Sequence, residues 1–548
     1  MPGNQAPADR ALVLALGDPR TYSRSPHHAG AAPVGAVELR ETLISWIALV
    51  GPLAYKVKKP VRYDFIDYAT LEKRRASCRM ELELNRRWAP ELYLGLSAFV
   101  RDDAGLGADV AGEPVEYAVR MRRFAQEAEL AELVRRGATD ATELAQFGRF
   151  IAEQHEIAPP GEPGKVRDDA AFELAQRNMR DLCGARSEPA LDTLRQWSVD
   201  EWAMQRSVLA HRHETGRVRE CHGDLHCGNV VRIGQRLLPF DGIDFDAALR
   251  FIDVASDVAF LIMDLEAHDR PDLATAFLSG WLERSGDYEA LSCLRFFLVY
   301  RALVRAKVAL LRSVQGASAG DAAAGQADRY LSQAARYTQS RSGALVLMHG
   351  FSGSGKSVLA LRLAPAIAAV CIRADVERDR ILPRRAGSAS PSRPNDDRYA
   401  PAGVRRVYDA LAAAARLILK AGGNAIVDAT FLDPERRADF VALARELGAP
   451  LAVVDCEAAP DLLRARVSAR RDDPSEATID ILERQLRTSA PLRDEERGRV
   501  VAVRTAEAPD TAKLARAIEE TLGVPLRGLD GSYLGGTATS PGGPRQTA

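Results

Sequence analysis

Apolar and polar positions alternate in two different ways along this chain. From Ala344 to Val524 short apolar runs take turns with Ala/Leu/Arg-rich stretches of helical character, the pattern of βαβ units around a parallel sheet. Ahead of that region Ile47–Val50, Ala54–Lys58 and Tyr117–Met121 read as strands of an antiparallel sheet, and Leu71–Trp88 reads as a helix. Helical patterning then dominates from Ala125 to Arg219. A sheet-rich lobe followed by a helix-rich lobe predicts a cleft between the two.

Stretches of low order punctuate these regions. They are the Pro/Ala/His-rich start as far as Val37, the Ala/Gly/Ser-rich Ser313–Asp328, which reads as a loop or linker, and a Gly/Ser/Thr/Pro-rich tail. The expected domains are therefore a flexible segment at 1–37, a front domain at 38–340, a rear domain at 341–525 and a disordered tail at 526–548.

Composition narrows the class. With 46% hydrophobic and 27% charged residues over 548 positions, the chain is globular and too long for one core. Lys+Arg (74) and Asp+Glu (75) nearly cancel, so no global field recruits nucleic acid or an anionic membrane, and a small-molecule substrate is expected. Seven cysteines without CxxC pairs suggest neither zinc nor a disulfide framework. The opening residues do not resemble a signal peptide, and the longest apolar stretches are too short or too charged to span a bilayer, which makes a cytoplasmic location the expectation.

The sharpest chemical signal follows the apolar run Ala344–Met348. Gly350-Phe-Ser-Gly353-Ser-Gly355-Lys356-Ser357 is GxxxxGK[ST] opening a helix. Its glycines let backbone N–H groups curl around phosphate oxygens at a helix N-terminus, Lys356 reaches the β/γ-phosphates and the Ser357 hydroxyl suits Mg²⁺. Downstream, Asp428 ends the apolar run of IVDATF and is a candidate second Mg²⁺ anchor, or a turn cap. In IRADVER, Asp375 is positioned to accept a hydroxyl proton and Arg378 to hold substrate, or the two pair with each other at the surface. The Arg-rich stretch Leu462–Arg471 offers Arg470 to the nucleotide phosphates, or is a solvated helix face. In this order the motifs resemble the small P-loop kinases, in particular the zeta-toxin-like and polynucleotide-kinase-like group.

The second signal is His222-Gly223-Asp224-Leu-His226-Cys-Gly-Asn229, whose D-x-x-x-x-N spacing equals that of a kinase catalytic loop. Asp224 can take or orient the acceptor hydroxyl proton while Asn229 holds Mg²⁺. Farther on, Phe240-Asp241-Gly-Ile-Asp244-Phe-Asp246 supplies acids where a second metal ligand belongs. This stretch resembles the aminoglycoside-phosphotransferase-like family, with its HGDxxxxN, I-D-[WF] and D-[LV]-A motifs. The resemblance covers about Glu38–Tyr337 and implies a protein-kinase-like fold. It makes Asp244 the metal acid, with Asp241 the runner-up, and Asp257 a brace for the catalytic loop. Lys56, or Lys58 on the same strand face, is the expected phosphate-binding lysine, and Glu81 before Glu83 its partner. No G-x-G-x-x-G is present, and only Gly51 marks a nucleotide-covering hairpin.

The expected architecture is thus an α+β two-lobed protein-kinase-like domain followed by an α/β P-loop domain, a parallel sheet flanked by helices. The expected chemistry is transfer of the ATP γ-phosphate to a small-molecule hydroxyl in each, with ATP and Mg²⁺ as cofactors. The alternatives are that one module is a nucleotide-sensing regulator of the other, or that the rear domain is a toxin-like or nucleic-acid-end kinase.

Overall fold

The computed structural model describes residues 7–28, 34–63, 66–161, 169–186, 189–315, 320–339, 342–383, 398, 400–469 and 478–526. The expected strands of the front region form a six-stranded antiparallel sheet. It follows an N-terminal helix α1 (Pro7–Leu16) and consists of β1 (Glu38–Glu41), β2 (Ser45–Val50), β3 (Leu53–Lys58), β4 (Tyr93–Asp102), β5 (Gly105–Ala108) and β6 (Pro114–Arg122), in spatial order β1-β2-β3-β6-β4-β5. Between β3 and β4 the chain forms α2 (Leu71–Trp88), whose start is capped by the Thr70 side chain accepting from the Lys73 N–H.

Both faces of this sheet are apolar. The inner one packs Leu49, Ala54, Val119 and Met121 with Cys78 of α2 and with Val231 and Leu238 beyond it. The outer one presents Trp46, Tyr55, Val57 and Phe99, and Leu16 and Tyr22 cover it. Residues 7–28, expected to be of low order, are therefore structured, because an apolar sheet face requires a lid. Gly51 turns β2 into β3, whereas the hairpin beside Lys58 is the β1–β2 turn, which carries Thr42, Leu43 and Ile44 and no glycine.

The helical lobe holds α3 (Ala141–Ile157), the hairpin β7 (Val230–Ile233) and β8 (Arg236–Pro239), and helices α4 (Val254–Ala267), α5 (Pro271–Ser285), α6 (Ala290–Gln315) and α7 (Gly320–Tyr337). α3 and α5 cross closely because glycine sits at the contact: a Cβ on Gly148 would lie 2.2 Å from the Phe277 carbonyl oxygen, and one on Gly280 2.0 Å from that of Ala145. The stretch Ser313–Asp328, expected as a loop, belongs to α6 and α7 at its two ends, and 316–319 lie outside the described residues. The far end of α7 is anchored: the Tyr330 hydroxyl donates to Asp264 Oδ1 at 3.1 Å and Gln333 Nε2 to the Met263 carbonyl at 2.8 Å.

The rear domain is built from β9 (Leu345–His349), α8 (Lys356–Ala366), β10 (Ala369–Arg373), α9 (Ala374–Ile381), α10 (Pro401–Lys420), β11 (Asn424–Asp428), α11 (Pro434–Glu446), β12 (Leu451–Glu457), α12 (Pro460–Ser468), α13 (Ile479–Thr488), β13 (Val500–Arg504) and α14 (Thr511–Leu522). Its five strands run parallel in the order β10-β11-β9-β12-β13. The central strands β9 and β11 are buried on both faces, which is why they read as continuous apolar runs, whereas the outer strand β13 is partly exposed. The tail from 527 onward and the segment 470–477 lie outside the described residues.

The two domains share a core. One cluster of buried apolar side chains extends from Phe277 and Phe297 in front to Leu345, Ile372 and Val427 behind. α5 lies against β10 and α8, and the buried Tyr288 hydroxyl donates to Glu377 Oε1 of α9 at 3.0 Å. Among the described residues no helix is long and apolar enough to cross a membrane.

Candidate active sites

In the front cleft, the period of two along β3 puts Lys56 and Lys58 on one face, where α2 brings Glu81 between them. Lys56 Nζ lies 2.9 Å from Glu81 Oε1 and Lys58 Nζ 2.6 Å from Glu81 Oε2. Each lysine has a second acid: Lys56 pairs with Asp241, and Lys58 lies 2.9 Å from Asp244. The environments of these acids differ sharply. The Asp244 side chain is 6% exposed and also accepts from the Ser77 hydroxyl at 2.7 Å, whereas that of Asp241 is 47% exposed. Asp241 sits in a left-handed turn (φ 61°), held by its N–H donating to the Tyr93 hydroxyl at 2.9 Å and by the Gly242 N–H donating to Asn85 at 2.8 Å. Burial alone would raise the Glu81 carboxyl, but Lys56 and Lys58 offset it and hold the group down at about 2.

The loop His222–Asn229, the candidate catalytic loop, precedes β7. Asn229 Nδ2 donates to Asp224 Oδ2 at 2.8 Å, leaving the Asn229 carbonyl oxygen as an acceptor. Asp257 at the start of α4 accepts from the His222 and Gly223 N–H groups at 3.1 and 2.9 Å, so it braces the loop from behind. His226 Nε2 lies 3.5 Å from Asp224, whose side chain remains 37% exposed to the cleft. Burial works to raise the Asp224 carboxyl, and the neighbouring His226, His222 and Arg305 outweigh it and hold it well below the usual carboxylate range.

In the rear domain Gly350, Gly353 and Gly355 all have positive φ (141°, 86° and 83°), which curls the backbone between β9 and α8. Lys356 Nζ donates to the Phe351 carbonyl at 3.3 Å, and the Ser352 N–H donates to Gln485 of α13 at 3.0 Å. Lys356, Ser357, Asp375, Arg378, Asp428 and Arg436 line a cavity of about 370 Å³. Asp375 and Arg378 do pair with one another, and they do so at the cavity wall. Burial raises the Asp428 carboxyl, opposed by Lys356, Ser357 and Arg373, and its Oδ1 is buried with no hydrogen-bond partner. Arg470 lies outside the described residues.

Both clefts suit Mg²⁺, a hard cation that takes oxygen ligands. The front offers the Asn229 carbonyl and a half-open Asp241; the rear offers the unbonded Asp428 Oδ1 near the Ser357 hydroxyl. Several residues here went unnoticed in the sequence. Tyr93 and Asn85 set the Asp241 turn, and Arg436 and Gln485 line the rear cavity. Tyr93, Asn85 and Gln485 come from elements distant in the chain, and Arg436, in the helix just after Asp428, carries no local spacing that marks it.

The family model described as "Phosphotransferase enzyme family" (APH) matches residues 98–297, and that described as "AAA domain" matches 345–492. Uncharacterized protein Rv2004c of Mycobacterium tuberculosis (strain ATCC 25618 / H37Rv) is 34% identical over 455 residues, covering 81% of this chain and 88% of that protein. Uncharacterized protein Mb2027c of Mycobacterium bovis (strain ATCC BAA-935 / AF2122/97) matches to the same extent, 34% over 455 residues. Among solved structures, a choline kinase from Cryptosporidium parvum Iowa II is 9% identical, covers 58% of this chain and 94% of that one, and gives a TM-score of 0.36. A gluconokinase from Sinorhizobium meliloti 1021 is 24% identical, covers 34% and 92% respectively, and gives 0.24. The chain belongs to the family of these mycobacterial proteins and is a phosphotransferase, an aminoglycoside-phosphotransferase-like domain joined to a P-loop kinase-like domain.

Proposed function

We propose that each module moves the γ-phosphate of ATP to a hydroxyl of a small molecule, the first within residues 38–340 and the second within 341–525. The observation that carries this reading is the repeated arrangement of charge. In each cleft a lysine sits beside carboxylates at the junction of two structural layers, Lys56 with Glu81 and Asp241 in front, Lys356 with Asp428 and Asp375 behind.

In the front module Lys56, held by Glu81, binds phosphate oxygens. Asp224 orients the acceptor hydroxyl and takes its proton as the oxygen bonds to the γ-phosphorus and the bond to the β-phosphate oxygen breaks, releasing ADP. The depressed Asp224 carboxyl stays ionised and orients the hydroxyl, and as a weak base it takes the proton only as the new P–O bond forms. Asn229 and Asp241 are the groups we assign to the metal. Asp241 replaces Asp244 in this role because it is open to the cleft, while Asp244 is spent on Lys58 and Ser77. In the rear module the curled P-loop backbone and Lys356 hold phosphate, Ser357 and Asp428 hold the metal, and Asp375 receives the proton. Mg²⁺, when bound, neutralises phosphate charge in both sites.

Transfer of radiolabel from γ-labelled ATP to a panel of sugars, amino sugars and nucleosides, compared among wild type, Asp224→Asn and Lys356→Ala, tests the assignment. Labelled products lost in one variant and kept in the other are expected. Products unaffected by either change would refute it. A second reading, in which one module senses nucleotide for the other, gains support from the common core and from Glu283, which reaches Arg373 of the rear domain.

A further inference from the structure

Arg373 ends β10 and Asp428 ends β11, and the parallel register sets the two opposite each other. A direct bond between them is therefore the expected outcome, since a guanidinium and a carboxylate normally close to about 2.7–2.9 Å. They do not close. Arg373 Nε stands 3.8 Å from Asp428 Oδ2, buried and without a hydrogen-bond partner.

The other end of the guanidinium supplies the reason. Arg373 Nη1 points out of the rear domain and donates to Glu283 Oε1 of α5 at 3.3 Å. Glu283 is itself held: Arg149 approaches its other oxygen at 3.4 Å, and Arg380 of α9 donates to its backbone carbonyl. The arginine is thus stretched between an acid of each domain, and Asp428 keeps Oδ1 unbonded beside Lys356 and Ser357.

Building on the reading of the rear cleft as a nucleotide site, we propose that Glu283 of the front domain is a positioning residue for that site: it draws Arg373 away from a direct bond with Asp428 and so keeps the carboxylate available. Glu283 touches no reacting atom. Its loss would let the guanidinium settle on Asp428 and compete there with a divalent cation. The rear site is then complete only when the front domain is docked.

The test is calorimetry of ATP binding to the full chain with Mg²⁺ and with EDTA, the rear-site component being taken as the difference from the same variant carrying Lys356→Ala. Glu283→Gln is expected to reduce the Mg²⁺-dependent gain in affinity by about tenfold, the lower end of what partners behind metal ligands contribute, with affinity in EDTA little changed. Adding Arg373→Met to Glu283→Gln removes the competing cation and is expected to recover most of that gain. Tyr288→Phe, which loosens the same interface through Glu377, is expected to leave it intact. An unchanged gain in Glu283→Gln, no recovery in the double variant, or an equal loss in Tyr288→Phe would overturn the proposal. A wild-type rear site that binds no nucleotide would overturn it together with the reading of the site.

Discussion

Lys58 Nζ and Asp244 Oδ2 lie 2.9 Å apart with side chains 1% and 6% exposed, a pair withdrawn from water. Removing Asp244 leaves the buried Lys58 to share Glu81 with Lys56, at a cost of up to about 3–5 kcal/mol. Asp244→Ala should therefore lower the thermal midpoint markedly, while Asp241→Ala should leave it close to wild type and abolish metal-dependent turnover at the front site. Differential scanning calorimetry beside a turnover assay decides. Lost turnover at unchanged stability in Asp244→Ala would return the metal role to Asp244.

Asp224→Asn keeps size and most hydrogen bonding but removes the basic carboxylate. Front-site turnover should fall ~10²–10⁴-fold with nucleotide affinity little altered. The assay uses a Lys356→Ala background so that the rear site contributes nothing. A large loss of ATP affinity would recast Asp224 as a binding or structural group.

Glu81 makes part of the stability pH-dependent. Its carboxyl is held at about 2 against an ordinary 4.5, so the folded state binds this proton less readily than the unfolded one. The stabilisation is fully present above pH 4.5 and drains away as pH falls from there through about 2. Urea unfolding across that window should show a shallower pH slope for Glu81→Gln than for wild type. An identical slope would mean that Glu81 does not carry this charge linkage.

Titration of the full chain with Mg·ATP should give two sites, and Lys356→Ala should remove one of them. One site in the wild-type chain would contradict the two-module reading.

How legible these sites were depended on the range of the contacts that build them. The rear phosphate loop was fully readable because Gly350 to Ser357 is contiguous and its preceding strand is apolar on both faces. Alternation along β3 identified Lys56 and Lys58 as neighbours on one face but could not choose between them, and both in fact reach Glu81. Proposing Asp241 over Asp244 needed the exposure of Asp241 in its left-handed turn, which Tyr93 and Asn85 hold from β4 and α2. Composition misled where small residues were read as a loop or linker: α7 starts within the Ala/Gly-rich stretch, and its amphipathic far end docks on α4. The docking of the two domains left no local trace, since Glu283, Tyr288, Arg373 and Glu377 are ordinary residues until the fold brings them together.

The place of α5 beside β10 has a consequence for solubility. β10 is an outer strand of the rear sheet, and an uncovered outer strand offers unpaired backbone groups to any other chain. Here part of the cover comes from the front domain, whose α5 packs on that strand beside α8 and α10 of the rear domain. A rear half expressed by itself would carry a sticky margin and a patch of uncovered apolar side chains around Ile372, and it should self-associate as concentration rises. The front domain thus acts toward its neighbour as a built-in chaperone, completing a cover that the rear domain's own α8 and α10 supply only in part.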